Sequence, residues 1–164
     1  GEYHWICFVY WMSRGQRRQG RTSMSAQGQK EEEDISLSAC HILLVEDNEL
    51  NVEIARTILQ DVQAEVEVAA DGAIAVAMLQ KAPVGYYDVI LMDIQMPKMN
   101  GYQATEAIRK LPDERAQVPI IAMTANAFEE DRQAAFAAGM DDYLAKPIEI
   151  DKLLRKIVKA LKKK

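Results

Sequence analysis

The sequence predicts an α/β fold: a doubly wound, five-stranded parallel sheet with helices on both faces. Three observations predict it. From Cys40 onward, apolar runs of strand length alternate with helical patterns five times, the mark of a parallel sheet joined by helical crossovers. The runs at 41–45, 88–92 and 118–123 are nearly continuous in apolar residues, as strands buried on both faces must be. The run at 64–69 is different, with Ala64, Val66 and Val68 separated by Glu65 and Glu67. That alternation suits an edge strand with one wet face. With right-handed crossovers and the second and fifth strands at the edges, the expected order is 2-1-3-4-5.

Each element has a local reason. The first strand, His41–Val45, carries Ile42, Leu43, Leu44 and Val45 without a break, and the helix after it sets Val52, Ala55, Leu59 and Val62 on one face. Asp71-Gly72 opens the second helix, with Val76 and Leu79 inward. A loop with Pro97 and Gly101 leads from the third strand into a helix carrying Ala104, Ala107, Ile108 and Leu111. Pro119 stands near the start of the fourth strand, where a missing N–H is tolerated. An alanine-rich helix is expected over about 127–138, ending at Gly139 as a C′ glycine. The fifth strand, Asp142–Ala145, is short. The last helix spaces Ile150, Leu153, Leu154, Ile157, Val158 and Leu161 along one face.

The 164 residues suffice for one domain and a tail. Residues 13–38 read as a linker, rich in Ser, Gly, Gln and Arg and then Glu. The expected division is linker or cloning-derived sequence at 1–38 and the domain at 39–164. Residues 5–12 are apolar but too short to span a bilayer, and they lack the basic start and cleavage site of a signal peptide. The alternative for them is the clipped end of a membrane segment. Residues 1–34 hold five basic and five acidic side chains, so the net charge of −5 falls on 35–164. That charge argues against nucleic acid as a partner. Two cysteines, Cys7 and Cys40, give neither a disulfide framework nor a zinc site. A reducing, cytoplasmic setting is the expectation, with no membrane insertion of the domain itself.

In an open parallel sheet, ligands bind beyond the carboxyl ends of the strands. Glu46 and Asp47 follow the first strand, Asp93 ends the third, Thr124 follows the fourth, and Lys146-Pro147 follow the fifth. Each has a structural explanation by itself: Asp47 or Thr124 as a helix cap, Lys146 as a surface lysine. Taken together, three carboxylates, a hydroxyl and an ammonium arrive at one rim. Converging carboxylates repel and raise a pKa unless a cation sits among them. Mg²⁺ takes oxygen ligands and keeps several waters. Phosphoryl transfer needs positioning and charge neutralisation more than covalent help, and a carboxylate at the central strand is the candidate nucleophile.

The stretches "HILLVEDNELNVEIARTIL", "DVILMDIQMPKMNGYQATEAIR", "VPIIAMTANAF" and "AGMDDYLAKPI" resemble the receiver domains of response regulators and hybrid histidine kinases, over about residues 39–162. The resemblance implies a flavodoxin-like (βα)5 receiver fold. It implies Asp93 as the phosphorylated aspartate, Asp47 as a direct Mg²⁺ ligand and Glu46 acting mainly through water. It further implies the Gln95 carbonyl in the metal shell, Thr124 as the switch hydroxyl, Lys146 as the phosphate-facing lysine, and a cis peptide at Lys146-Pro147. Tyr143 stands where the family has an aromatic that turns inward on activation; plain edge-strand packing is its structural alternative. Gln95 and Asn126 are the expected tuners of phosphoryl lifetime. The implied partner is a histidine kinase or histidine phosphotransfer protein, whose phosphohistidine is the donor. Glu46 in place of a more usual Asp, and Asn100 in place of a frequent Asp before Gly101, are mild departures.

The texture resembles the C-terminal receiver of a hybrid kinase more than a stand-alone regulator, which stays as the alternative. The last helix runs into Lys162–Lys164, so no output domain is expected after it. No ATP-binding segment is present, and His4 and His41 lack a kinase-type helical setting, so a kinase core is not expected in this chain; the resemblance implies a domain that catalyses its own phosphorylation and dephosphorylation, with a histidine kinase as the candidate parent chain. A haloacid-dehalogenase-like phosphatase would require a second Asp two residues past Asp93, where Gln95 stands. A pseudo-receiver would require a lost carboxylate or lysine, and none is lost.

Overall fold

The computed structural model describes residues 37–162, apart from 97, 126 and 127. The linker expectation for 1–36, the role given to Asn126 and the start of the alanine-rich helix therefore lie outside the described residues.

Five strands, β1 (His41–Val45), β2 (Glu65–Ala69), β3 (Val89–Asp93), β4 (Ile120–Thr124) and β5 (Asp142–Ala145), form one parallel sheet in the order β2-β1-β3-β4-β5. Helices α1 (Glu49–Asp61), α2 (Gly72–Lys81), α3 (Gly101–Arg109), α4 (Glu129–Ala138) and α5 (Ile150–Lys162) follow them in turn, with a 3₁₀ turn at Glu114–Gln117. Because every strand runs the same way, all five carboxyl ends meet at one rim.

The apolar strands divide their side chains between two layers. Ile42, Leu44, Val89, Leu91, Ile121 and Met123 face α1 and α5. Leu43, Val45, Ile90, Met92, Ile120 and Ala122 face α2, α3 and α4. Continuous hydrophobicity in the central strands is thus used on both faces, at roughly 1.5–3 kcal/mol for each large side chain fully buried. Leu37, on the linker side of the expected boundary, joins the first layer and donates its N–H to Val62 O at 2.8 Å.

Some boundaries move. β3 runs one residue further than expected, so Asp93 is part of the strand. β4 starts at Ile120, because Pro119 has no N–H to give the ladder; its carbonyl still accepts from Ile90 N at 2.8 Å. α4 starts at Glu129 behind Phe128, with no side-chain cap, so Thr124 does not cap it. Asn48, not Asp47, caps α1: its side chain accepts from the N–H groups of Leu50 and Asn51. The edge strand is less wet than its alternation suggests. Glu65 is exposed, but Glu67 is half-buried; its charge raises the Tyr86 phenol above its ordinary range, and burial first and then Glu67 raise that of Tyr87. Gly139 does end α4, at φ 108°.

The helices are not held equally. α5 buries Ile150, Leu153, Leu154, Ile157 and Ala160, whereas α4 buries only Ala135. At the opposite rim, Arg109 ties α4 to its neighbours. Its guanidinium donates to Gly139 O at 2.9 Å, to Ala116 O and Val118 O at 2.7 Å each, and to the Asp141 carboxylate at 2.8 Å.

Candidate functional site

The carboxyl rim brings Glu46, Asp47 and Asp93 together, with one oxygen of each within 4.8 Å of the others. Strand geometry explains why. β1 and β3 are neighbours in register, with Val45 beside Met92. The first residue past β1 and the last of β3 therefore share one edge. Glu46 N–H donates to Ala69 O at 3.1 Å, which continues the β1–β2 ladder and turns the Glu46 side chain into the rim.

The three carboxylates differ. Asp47 is exposed. Glu46 and Asp93 are buried, at 3% and 4% exposure. A buried carboxylate is costly unless its lone pairs are occupied. Glu46 takes the Asn48 N–H at 3.2 Å, the Asn51 amide at 3.5 Å and the Lys146 ammonium at 2.9 Å. Asp93 takes the Gln95 N–H at 3.3 Å and stands 3.4 Å from Lys146 Nζ. Burial first, and then the Glu46 charge, push the Asp93 carboxyl up from 3.8 to about 6, against the pull of Lys146 and the Gln95 N–H. One ammonium among three carboxylates leaves the rim short of positive charge, and oxygen donors at this spacing suit a hard divalent cation.

Lys146 arrives from β5. Its N–H donates to Thr124 O at 2.7 Å, joining the ends of β4 and β5, and the Lys146-Pro147 peptide is cis. Thr124 is the last residue of β4 and is buried at the rim. Tyr143 stands apart from the cluster. It is half-buried on β5, and its phenol is raised by burial and by Asp131 and Tyr102. Gln95 lies in the loop after β3 with its N–H on Asp93.

The fold of that loop depends on a glycine noted in the sequence only as loop and motif. A Cβ on Gly101 would come within 2.6 Å of Asp93 O and 2.9 Å of Ile94 Cα. The start of α3 packs directly against the end of β3, and only glycine permits the approach. Gly72 makes a second such contact, where a Cβ would meet Met99 O at 2.7 Å. Asn51 is a similar case. Its position in the first turn of α1 is visible in sequence, but its reach to Glu46 is not.

The response regulator receiver domain family matches residues 42–158. The chain belongs to that family. The receiver is 40% identical over 136 residues to hybrid signal transduction histidine kinase L of Dictyostelium discoideum, covering 80% of this chain and 8% of that protein. It is 40% identical over 130 residues to the sensor histidine kinase GacS of Pseudomonas protegens, covering 78% of this chain and 14% of that one. The chain thus spans about a tenth of the length of the curated relatives it matches. Among solved structures it resembles the receiver domain of a Pseudomonas aeruginosa sensor histidine kinase, at 41% identity and a TM-score of 0.68, covering 75% of this chain and 98% of that one. That structure has a magnesium ion coordinated in its active site cleft. It also resembles a Saccharomyces cerevisiae response regulator receiver domain co-crystallised with a histidine phosphotransfer protein, at 30% identity and a TM-score of 0.65, covering 73% of this chain and 86% of that one. No helix among the described residues is long and apolar enough to cross a membrane.

Proposed function

We propose that this receiver accepts a phosphoryl group onto Asp93 from a phosphohistidine on a histidine kinase or histidine phosphotransfer protein, with Mg²⁺ as cofactor. The observation that carries the proposal is the Asp93 carboxylate itself. It is buried at the end of the central strand, clustered with Glu46 and Asp47 and 3.4 Å from Lys146.

In the transfer, an Asp93 carboxylate oxygen forms the new O–P bond as the N–P bond of the phosphoimidazole breaks, and the freed ring nitrogen keeps the electron pair. Glu46, Asp47, Asp93 and the Gln95 carbonyl are the residues that would hold Mg²⁺, Asp47 directly and Glu46 mainly through water. When bound, the ion supplies charge neutralisation for the phosphoryl oxygens. Lys146 offers a second positive charge to the same group, and the Thr124 hydroxyl a hydrogen bond. Burial of Asp93 keeps bulk water away from the acyl phosphate. Gln95 and Asn126 tune how long the phosphoryl group lasts.

The switch follows from differential stabilisation of a second state. Attraction of the Thr124 hydroxyl to the phosphoryl group shifts the loop after β4, and Tyr143 turns inward. The thin attachment of α4, with Ala135 alone buried, supports its being the element that moves. The parent protein is a hybrid histidine kinase, a reading supported by the kinase relatives. Within this reading the receiver takes in residues 39–164 together with Leu37, which packs into its core; the sequence before Leu37 is linker or cloning-derived, and the domain works in a reducing cytoplasm.

The test is intact mass after incubation with acetyl phosphate and Mg²⁺. The wild type gains one phosphoryl group, and Asp93→Asn gains none. A folded wild type that binds Mg²⁺ yet gains no mass overturns the reading in favour of an interaction module.

A further inference from the structure

Glu46 has 2% of its side chain accessible, and its oxygens are shared out in an unequal way. Oε2 faces Lys146 Nζ at 2.9 Å. Oε1 faces α1, where it receives the Asn48 N–H at 3.2 Å and the Asn51 Nδ2 at 3.5 Å. Asn51 does two things at once. Its backbone N–H donates to the capping oxygen of Asn48 at 3.2 Å, while its side chain turns back to the rim. The cap needs only the N–H, which any residue but proline supplies. Asparagine is a poor helix former, so α1 gains nothing from an asparagine at this place. The rim does, because the amide is a donor aimed at a buried acid.

We propose that Asn51 is a positioning residue of the metal site. By holding Oε1 against α1, it keeps Oε2 on Lys146 and fixes the Glu46 carboxylate in one orientation toward Asp47 and Asp93. Asn51 acts through Glu46 and is not itself a ligand. The inference rests on the receiver reading, since it takes the acidic cluster to be a Mg²⁺ site. Partners that orient ligating carboxylates set metal affinity by about 10–100-fold, and a donor 3.5 Å away belongs at the lower end.

The experiment is a Mg²⁺ titration of the whole chain, followed by backbone amide shifts, with thermal melting as a control for folding. Asn51→Ala should weaken Mg²⁺ about 10-fold with no fall in melting temperature, because alanine is the better helix former. Asn51→Gln, whose longer amide can still reach across to Oε1, should bind within about threefold of wild type. In a Glu46→Ala background, Asn51→Ala should change affinity less than about twofold, because the group it orients is gone. Should Asn51→Ala not fold, Asn51→Leu, of similar size and without a donor, takes its place against Asn51→Gln. Unchanged affinity in Asn51→Ala, or equal weakening with and without Glu46, overturns the inference. The two failures are separable. A wild type that neither binds Mg²⁺ nor takes phosphate at Asp93 removes the receiver reading, whereas a wild type that does both beside an Asn51→Ala that binds equally well removes only the role of Asn51.

Discussion

The two rims of the sheet are built on opposite electrostatic terms. At the amino rim, two arginines are held by several acceptors each. Arg109 reaches three carbonyls and Asp141, and the same Asp141 oxygen also accepts from Ile120 N at 2.8 Å. Arg115 reaches Ala82 O with two of its nitrogens and Asp113 with a third. At the carboxyl rim, one lysine serves two buried carboxylates with a third nearby, and Asp93 is driven toward its neutral form. The first arrangement pairs its charges internally. The second holds more carboxylate than its described cation offsets. A parallel fold separates the two kinds of rim by the length of its strands, so stability at one end can offset strain at the other.

The sharpest way to break the comparison is to open the amino rim. Arg109→Ala bares three carbonyls and removes the cation from Asp141, which keeps the Ile120 N–H. At about 1 kcal/mol per polar group left unsatisfied, the loss should be about 3 kcal/mol. Urea denaturation measures it. Mg²⁺ affinity of the folded fraction should stay within about twofold of wild type, because the clasp and the cluster share no partner. A small stability loss with a large metal effect would mean that the rims are not independent.

The next effect has the opposite origin. The folded Asp93 carboxyl stands at about 6 against an ordinary 3.8, so the folded state holds its proton more tightly than the unfolded chain does. Its contribution to stability is therefore complete below 3.8 and lost as pH rises through about 6. At about 1.4 kcal/mol per unit, the metal-free protein should lose roughly 2–3 kcal/mol from this group across that window. Asp93→Asn should flatten the curve and be more stable than wild type at neutral pH without Mg²⁺. Equal pH profiles for the two proteins would show that the rim is not strained as described.

This difference between the rims also decided what could be read from sequence. The fold was legible because β1, β3 and β4 are apolar but for one terminal residue each while β2 alternates, and the structure has the predicted order. The rim residues were legible because each ends or follows a strand, so topology alone collects Glu46, Asp47, Asp93, Thr124 and Lys146. What escaped depends on distances that no pattern encodes. Gly101 looks like a loop glycine until the 2.6 Å approach to Asp93 O is seen. Arg109 looks like a C-terminal helix cation until Gly139 and Asp141, some thirty residues on, are found beneath it. Asn51 reads as one polar residue in a helix. Asn48, rather than Asp47, caps α1 because the cap falls one residue later than the carboxylates suggest.

The smallest effect comes from the outer edge of the amino rim. Asp113 caps the 3₁₀ turn by accepting the Arg115 N–H at 3.0 Å, and pairs with the Arg115 guanidinium at 2.6 Å. The carboxylate is about one-third exposed, at 35%, so water screens the ion pair and leaves the cap as the main contribution. Asp113→Ala should lower stability by about 1 kcal/mol, the usual cost of losing an N-cap. Arg115 keeps both of its bonds to Ala82 O in that variant, which holds the turn near its place. Thermal melting of Asp113→Ala beside Arg109→Ala makes the point: if the amino rim is a hub with Arg109 at its centre, the peripheral variant loses about a third as much stability as the central one. A loss from Asp113→Ala as large as that from Arg109→Ala would move the keystone outward, to the 3₁₀ turn itself.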